Sequence, residues 1–217
     1  MVTDTKVELV EADKAFERTK RACAREMAVI NPARGCLFGC LFCPTKPKVP
    51  AEQGVKVRAN IPRLLKRELS IRRKKGEVPQ SVLFNTSSDS FQPIQALLEV
   101  THEAMQMVLE EGCQLHFFTR GLVPLNFQKL FERYTDKIHA QVSLLTMDES
   151  LSKIYEPSAS KPQERIELIR RLLGWGVDVR ARIEPLIPFL TDTVGHFEEL
   201  IRYLRSVGLT YTSASYL

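Results

Sequence analysis

An α/β fold with parallel strands is expected from three observations. Six short apolar, strand-like runs alternate with stretches of helical period. Each intervening helix is longer than a hairpin connection holds, so successive strands run parallel through right-handed crossovers. The strand ends carry Ser, Thr, Asp and Arg, which points to a site along the C-terminal edge of the sheet. A six-stranded open barrel and a doubly wound sheet both satisfy this order.

The elements follow in turn along the chain. Residues 7–24 read as a polar lead-in, and 1–24 as an N-terminal extension to a core domain over 25–217. MAVI (27–30) is the first strand, followed by a Cys/Pro/Gly-rich loop to about Pro50. The stretch 61–75 is a helix begun by Pro62, with Leu64, Leu65, Leu69 and Ile71 on one side and cations elsewhere. SVLFNTS (81–87) is a strand, and Pro93 opens a helix that runs to Gly112.

CQLHFFTR (113–120) is strand-like, and Pro124 to Tyr134 is helical. IHAQVSLLT (138–146) is a strand, with helices over 147–154 and 162–175 after it. GVDVRARIEP (176–185) alternates at period two, 195–207 is helical, and 208–217 is a last strand. The chain stops within that strand with no helix to cover it, so the core is expected to be truncated there.

Composition narrows the class. The 217 residues suit one domain, with 44% hydrophobic and 26% charged side chains, which excludes a disordered tail or a disulfide-rich miniprotein. The formal net charge of +5 permits a polyanionic partner without requiring one. The RRKK run at 72–75 has no interleaved aromatics and reads as a solvated helix face. The N-terminus has neither a secretory nor a transit pattern, and no apolar run reaches the length of a membrane span. Five cysteines, three of them clustered, describe a metal site in a reducing compartment, with the cytoplasm as the expected location.

The cluster is GCLFGCLFC, which sets Cys36, Cys40 and Cys43 in a C-x3-C-x2-C array directly after the first strand. Three thiolates at this spacing converge on one metal centre. No fourth Cys or His lies near: Cys23 is upstream, and His102 and Cys113 are far downstream. A closed zinc site needs four ligands, whereas a 4Fe–4S cluster on three cysteines leaves one iron open to a small molecule. Zinc with a distant fourth ligand is the alternative. Gly35 and Gly39 let the backbone wrap closely, and Pro44 ends the turn. His102, His116, His139 and His196 stand at no ligand spacing, and glycine-rich phosphate loops and nucleophile elbows are absent.

Four stretches, NPARGCLFGCLFC (31–43), VRANIPRLLKREL (57–69), SSDSFQPIQ (87–95) and EPSASKPQERIELIRRLLGWGVDVRARIEPLIP (156–188), resemble the radical S-adenosylmethionine (SAM) superfamily. Within it they resemble the spore photoproduct lyase-like branch, often labelled DNA repair photolyase. The resemblance implies a partial (β/α)6 barrel, truncated here after its sixth strand, with a 4Fe–4S cluster and SAM as cofactors. It implies reductive cleavage of SAM, hydrogen abstraction from a substrate such as nucleic acid, and an external electron donor of flavodoxin or ferredoxin type.

Position by position, the resemblance makes Cys36, Cys40 and Cys43 the cluster ligands and sets Phe42 near the adenine. It directs Ser87, Ser88 and Asp89 to the methionyl amine and Arg120 to the carboxylate. Ser143 then reaches a ribose hydroxyl or the carboxylate, and Arg182 lies near ribose and adenine beside Glu184-Pro185. Two departures stand out: NTSSDS carries no cysteine where spore photoproduct lyases place a hydrogen donor, and Phe38 and Pro44 replace a His and a Tyr. A non-enzymatic zinc or iron–sulfur module and a nucleic-acid-binding adaptor are the readings from other classes.

Overall fold

The computed structural model describes residues 6–17, 26–45 and 54–216. Cys23 and part of the lead-in and of the cysteine-loop tail lie outside the described residues. The chain divides into two compact units, residues 1–37 with 45–117, and residues 38–44 with 118–217.

The first unit contains strands β1 (Val7–Val10), β2 (Phe16–Glu17), β3 (Ala28–Ile30), β4 (Ala33–Arg34) and β5 (Val55–Arg58). Helix α1 (Ile61–Lys75), strand β6 (Ser81–Phe84) and helix α2 (Gln95–Glu110) follow, then strand β7 (Gln114–Thr119), which belongs to this unit through Phe117. Strands β3, β6 and β7 pair in parallel, and β2 adds antiparallel to β3 with Phe16 opposite Ile30. A small separate sheet has β5 at its centre, parallel to β1 and antiparallel to β4.

The sequence reading finds the helices here and misses the small strands. α1 matches its expected bounds, and Gly76 caps it at φ 69°, a left-handed conformation open to glycine. Ile71 falls on the apolar stripe by period yet is exposed, because the last turn and a half of α1 runs past the packed layer. The supposed polar lead-in contributes β1 and β2. Their pairing is set by partners 12 to 48 residues away, which local periodicity does not register. β6 stops at Phe84 rather than at residue 87, because Asn85 turns to φ 56° while its N–H still reaches the Ile30 carbonyl at 2.9 Å.

The second unit runs from a 3-10 turn (Leu125–Phe127) through α3 (Gln128–Arg133), β8 (Ile138–Ser143), α4 (Glu149–Tyr155) and α5 (Pro162–Gly174). Strand β9 (Asp178–Leu186), helix α6 (Val194–Ser206) and strand β10 (Thr212–Tyr216) complete it. β9 pairs in parallel with β8 and β10. β8 alternates between inward Ile138, Ala140 and Val142 and half-buried neighbours, and α5 buries Ile166, Leu168, Ile169 and Leu172. Phe127 and Phe131, and Phe131 and Trp175, meet edge to face. Asp148 caps α4 by accepting from the Ser150 and Leu151 amides. Among the described residues no helix is long and apolar enough to cross a membrane.

Candidate functional site

The cysteine loop leaves β3 and β4 and is held at its start by the turn that follows β6. Gly35 sits at φ 84°, and a Cβ there would meet the Gly54 carbonyl oxygen at 2.3 Å, so only glycine fits. The Ser88 hydroxyl donates to the Gly35 carbonyl at 2.6 Å. The Leu37 amide donates to Gln92 Oε1 at 2.7 Å, and Gln92 Nε2 donates to Ser88 Oγ at 2.8 Å and to the Asp89 carbonyl at 2.9 Å. Asp89 closes its own turn by accepting from the Phe91 amide at 2.9 Å. Ser88 and Asp89 therefore support the loop, while Ser87 stands half-buried between them and Thr86.

Asn85 is the least satisfied residue of this turn. It is buried in a left-handed backbone conformation, and its Nδ2 donates to Ser90 Oγ at 2.6 Å. Its Oδ1 is buried without a hydrogen-bond partner. An unpaired buried acceptor costs about 1–3 kcal/mol, and strained, unsatisfied groups at strand ends are retained where a ligand completes them.

In the second unit the rest of the loop is held by a charge network. The Leu41 amide donates to the Tyr155 carbonyl at 2.9 Å, and the Phe38 carbonyl accepts from Ser158. The Arg120 guanidinium lies 5.1 Å from the centre of the Phe42 ring, a cation–π contact. Arg120 also donates to Glu156 Oε1 at 2.5 Å and to the Glu184 carbonyl at 2.9 Å. Glu156 Oε2 lies 2.7 Å from Arg165 Nη2, a close ion pair without hydrogen-bond alignment. Arg165 donates in addition to the carbonyls of Ser143 and Ser160. Ser143 is buried at the end of β8, and Arg182 pairs with Glu184 and stacks on Phe118 at 4.4 Å.

Of the residues singled out from sequence, Phe42 and Arg120 are thus in direct contact, and Ser143 joins the same network through its carbonyl. Arg182 pairs with the Glu184 carboxylate, whose backbone carbonyl accepts from Arg120. Gln92, Asn85, Glu156 and Arg165 are the participants that sequence reasoning missed. Buried polar side chains between apolar runs were the available signal, and burial itself is invisible from sequence.

The donor set fits an iron–sulfur cluster in its chemistry. Cys36, Cys40 and Cys43 stand in one loop with no disulfide, and soft thiolates are the ligands such clusters take. Burial pushes the Cys40 thiol up to about 11, against the opposing pull of Arg120. Among the described residues no three His, Cys, Asp or Glu side chains stand as a preformed metal cage. Cys113 is buried just before β7, at that strand's N-terminal end. The orphaned Asn85 Oδ1 suits a ligand that brings a donor, as an ammonium does.

A parallel α/β chain with a three-thiol loop after a core strand belongs to a class that binds its cofactor at the strand ends. The family model of the radical SAM superfamily matches residues 30–208, and the chain belongs to that superfamily, whose cofactors are a 4Fe–4S cluster and SAM. An uncharacterized protein of Mycobacterium tuberculosis is 24% identical over 192 residues, covering 83% of this chain and 56% of its own. The radical SAM Nα-GlyT isomerase of Pseudomonas phage M6 is 26% identical over 195 residues, covering 87% of this chain and 39% of its own.

Among solved structures, a spore photoproduct lyase variant with bound AdoMet and dinucleoside spore photoproduct superposes with a TM-score of 0.73. The identity is 18%, and the match covers 96% of this chain and 60% of that one, so the likeness is one of fold. The chain spans little more than half the length of these first relatives.

Proposed function

We propose that this chain is the catalytic core of a radical SAM enzyme that abstracts hydrogen from a nucleic-acid-derived substrate. The observation that carries the reading is the loop of three cysteines outside any disulfide, Cys36, Cys40 and Cys43, within the matched superfamily region. These three would hold the cluster. The chemistry supplied there, with cluster and SAM bound and an external one-electron donor, is cleavage of the sulfonium to a 5′-deoxyadenosyl radical and hydrogen abstraction.

The chain's own groups bind and orient. Asn85 Oδ1 would accept from the methionyl ammonium, a donor for the acceptor that the fold leaves unpaired. Ser87 lines the same turn, with Ser88 and Asp89 acting through the loop they support. Phe42, steadied by Arg120, would offer a flat apolar face to the adenine, Ser143 at the end of β8 would reach a ribose hydroxyl or the carboxylate, and Arg182 within β9 would lie near the ribose and adenine. Nucleic acid as substrate class is supported by the dinucleoside bound to the spore photoproduct lyase of like fold. The clustering of three cysteines without a disulfide supports a reducing, cytoplasmic setting.

The test is anaerobic reconstitution with iron and sulfide, reduction with SAM present, and assay for 5′-deoxyadenosine. The expected result is about four irons per chain and a product that Cys40→Ala abolishes. One tightly held zinc and no product would overturn the reading in favour of a structural module.

A further inference from the structure

We propose that Gln92, with Ser88, is a positioning residue that presents Cys36 for ligation. The inference rests on the reading of the three cysteines as cluster ligands. Cys36 is flanked by one carbonyl, that of Gly35, and one amide, that of Leu37, and the turn after β6 engages both. Ser88 Oγ donates to the carbonyl at 2.6 Å, with Gln92 Nε2 at 3.4 Å from the same oxygen, and Gln92 Oε1 accepts from the amide at 2.7 Å. The peptide groups on either side of the Cys36 Cα are thereby pinned.

The orientation of the Gln92 amide is decided by its neighbours. Its oxygen faces an N–H, and its nitrogen faces the Asp89 and Gly35 carbonyls and a hydroxyl. Turning the amide over would set oxygen against carbonyl oxygen and N–H against N–H. Gln92 is fully buried, and its side-chain hydrogen bonds go to the loop start and to its own turn. A buried amide committed to one ligand's flanking backbone is a support of the kind that orients metal ligands from behind. Gly35 adds to the constraint, since the space a Cβ would need is taken by the Gly54 carbonyl.

The test measures cluster retention and does not depend on turnover. Wild type, Gln92→Leu, Gln92→Glu and Ser88→Ala are reconstituted anaerobically, assayed for iron, and followed by visible absorbance as an iron chelator strips the cluster. Asn60→Ala is the control, because Asn60 bridges to the Ala12 backbone in the same unit, away from the loop. Each variant's thermal midpoint without iron is recorded alongside.

The expected result is that Gln92→Leu holds half the wild-type iron or less and loses it several-fold faster. Gln92→Glu, which keeps the acceptor for Leu37, lies between it and wild type. Asn60→Ala lowers the midpoint but loads and retains iron as wild type does. If Gln92→Leu does not fold, Ser88→Ala and Gln92→Glu carry the comparison. Wild-type loading and loss rates in the Gln92 and Ser88 variants, or the same loss in Asn60→Ala, would overturn the inference. Full iron retention in Cys36→Ala, Cys40→Ala and Cys43→Ala would instead overturn the ligand assignment on which it stands.

Discussion

Replacing Glu156 by Gln tests the charge network in the second unit. Both carboxylate oxygens face guanidinium groups, Oε1 at 2.5 Å from Arg120 Nε and Oε2 at 2.7 Å from Arg165 Nη2. The Glu156 and Arg165 side chains are 1% and 0% exposed, so water cannot replace the lost charge. An amide sets an NH2 group against one of the two guanidiniums and leaves the buried Arg165 and the half-buried Arg120 with no anion between them. Removing one member of a buried pair costs about 3–5 kcal/mol. The Ser143 and Ser160 carbonyls still hold Arg165, which favours about 3 kcal/mol, the lower end of that range.

With a urea dependence of about 2–3 kcal/mol per molar, the unfolding midpoint falls by about 1–1.5 M. Trp175, the single tryptophan, is buried in the same unit and reports its unfolding by fluorescence. The exposed Glu149–Lys161 pair supplies the control, since Glu149→Gln changes stability by about 0–1 kcal/mol. A midpoint shift under ~0.3 M in Glu156→Gln at unchanged slope would refute the claim that this network holds the unit together.

Three further outcomes are expected. Gly35→Ala, forced to φ 84° with its Cβ against the Gly54 carbonyl, loses at least about 1–3 kcal/mol and loads less iron, read by urea titration and iron assay. At the other end of the loop, Arg120→Lys keeps the charge but not the fork that spans Glu156, the Glu184 carbonyl and the Phe42 ring. SAM affinity, measured by equilibrium dialysis on the reconstituted protein, falls about tenfold, about 1.4 kcal/mol, and an unchanged affinity contradicts the adenine role of Phe42.

The third concerns acid stability. Burial pushes the Glu17 carboxyl up, but bonds from Arg58 and Asn31 outweigh it and hold the group below its ordinary value of 4.5. The unfolded chain then binds the proton more readily. Glu17 contributes in full above pH 4.5, and the contribution is lost as pH falls through the lower folded value. Glu17→Gln therefore flattens the acid limb of stability below that pH, and an unchanged acid limb contradicts the assignment.

The sequence reading of this chain succeeded where the signal is local. Helical period placed α1 within its observed bounds, and strand alternation found β7 and β9, because side chains three, four or two positions apart share a face regardless of what covers it. β1 and β5 have four residues each and become a sheet only by pairing with each other and, for β5, with β4, so no period marks them. Ser88 shows the same division within the site. Its small polar side chain at a strand end suggested a cofactor contact, whereas the fold commits its hydroxyl to Gly35.

The amino-acid sequence by itself determined the parallel α/β class and the three-cysteine loop, because periodicity and spacing are properties of neighbours along the chain. Only the tertiary structure decided that Gln92 holds the backbone around Cys36 and that Glu156 joins Arg120 to Arg165. Gln92 meets Leu37 across 55 positions and Glu156 meets Arg120 across 36, and a polar side chain becomes a support or a ligand according to what distant segments leave unpaired beside it.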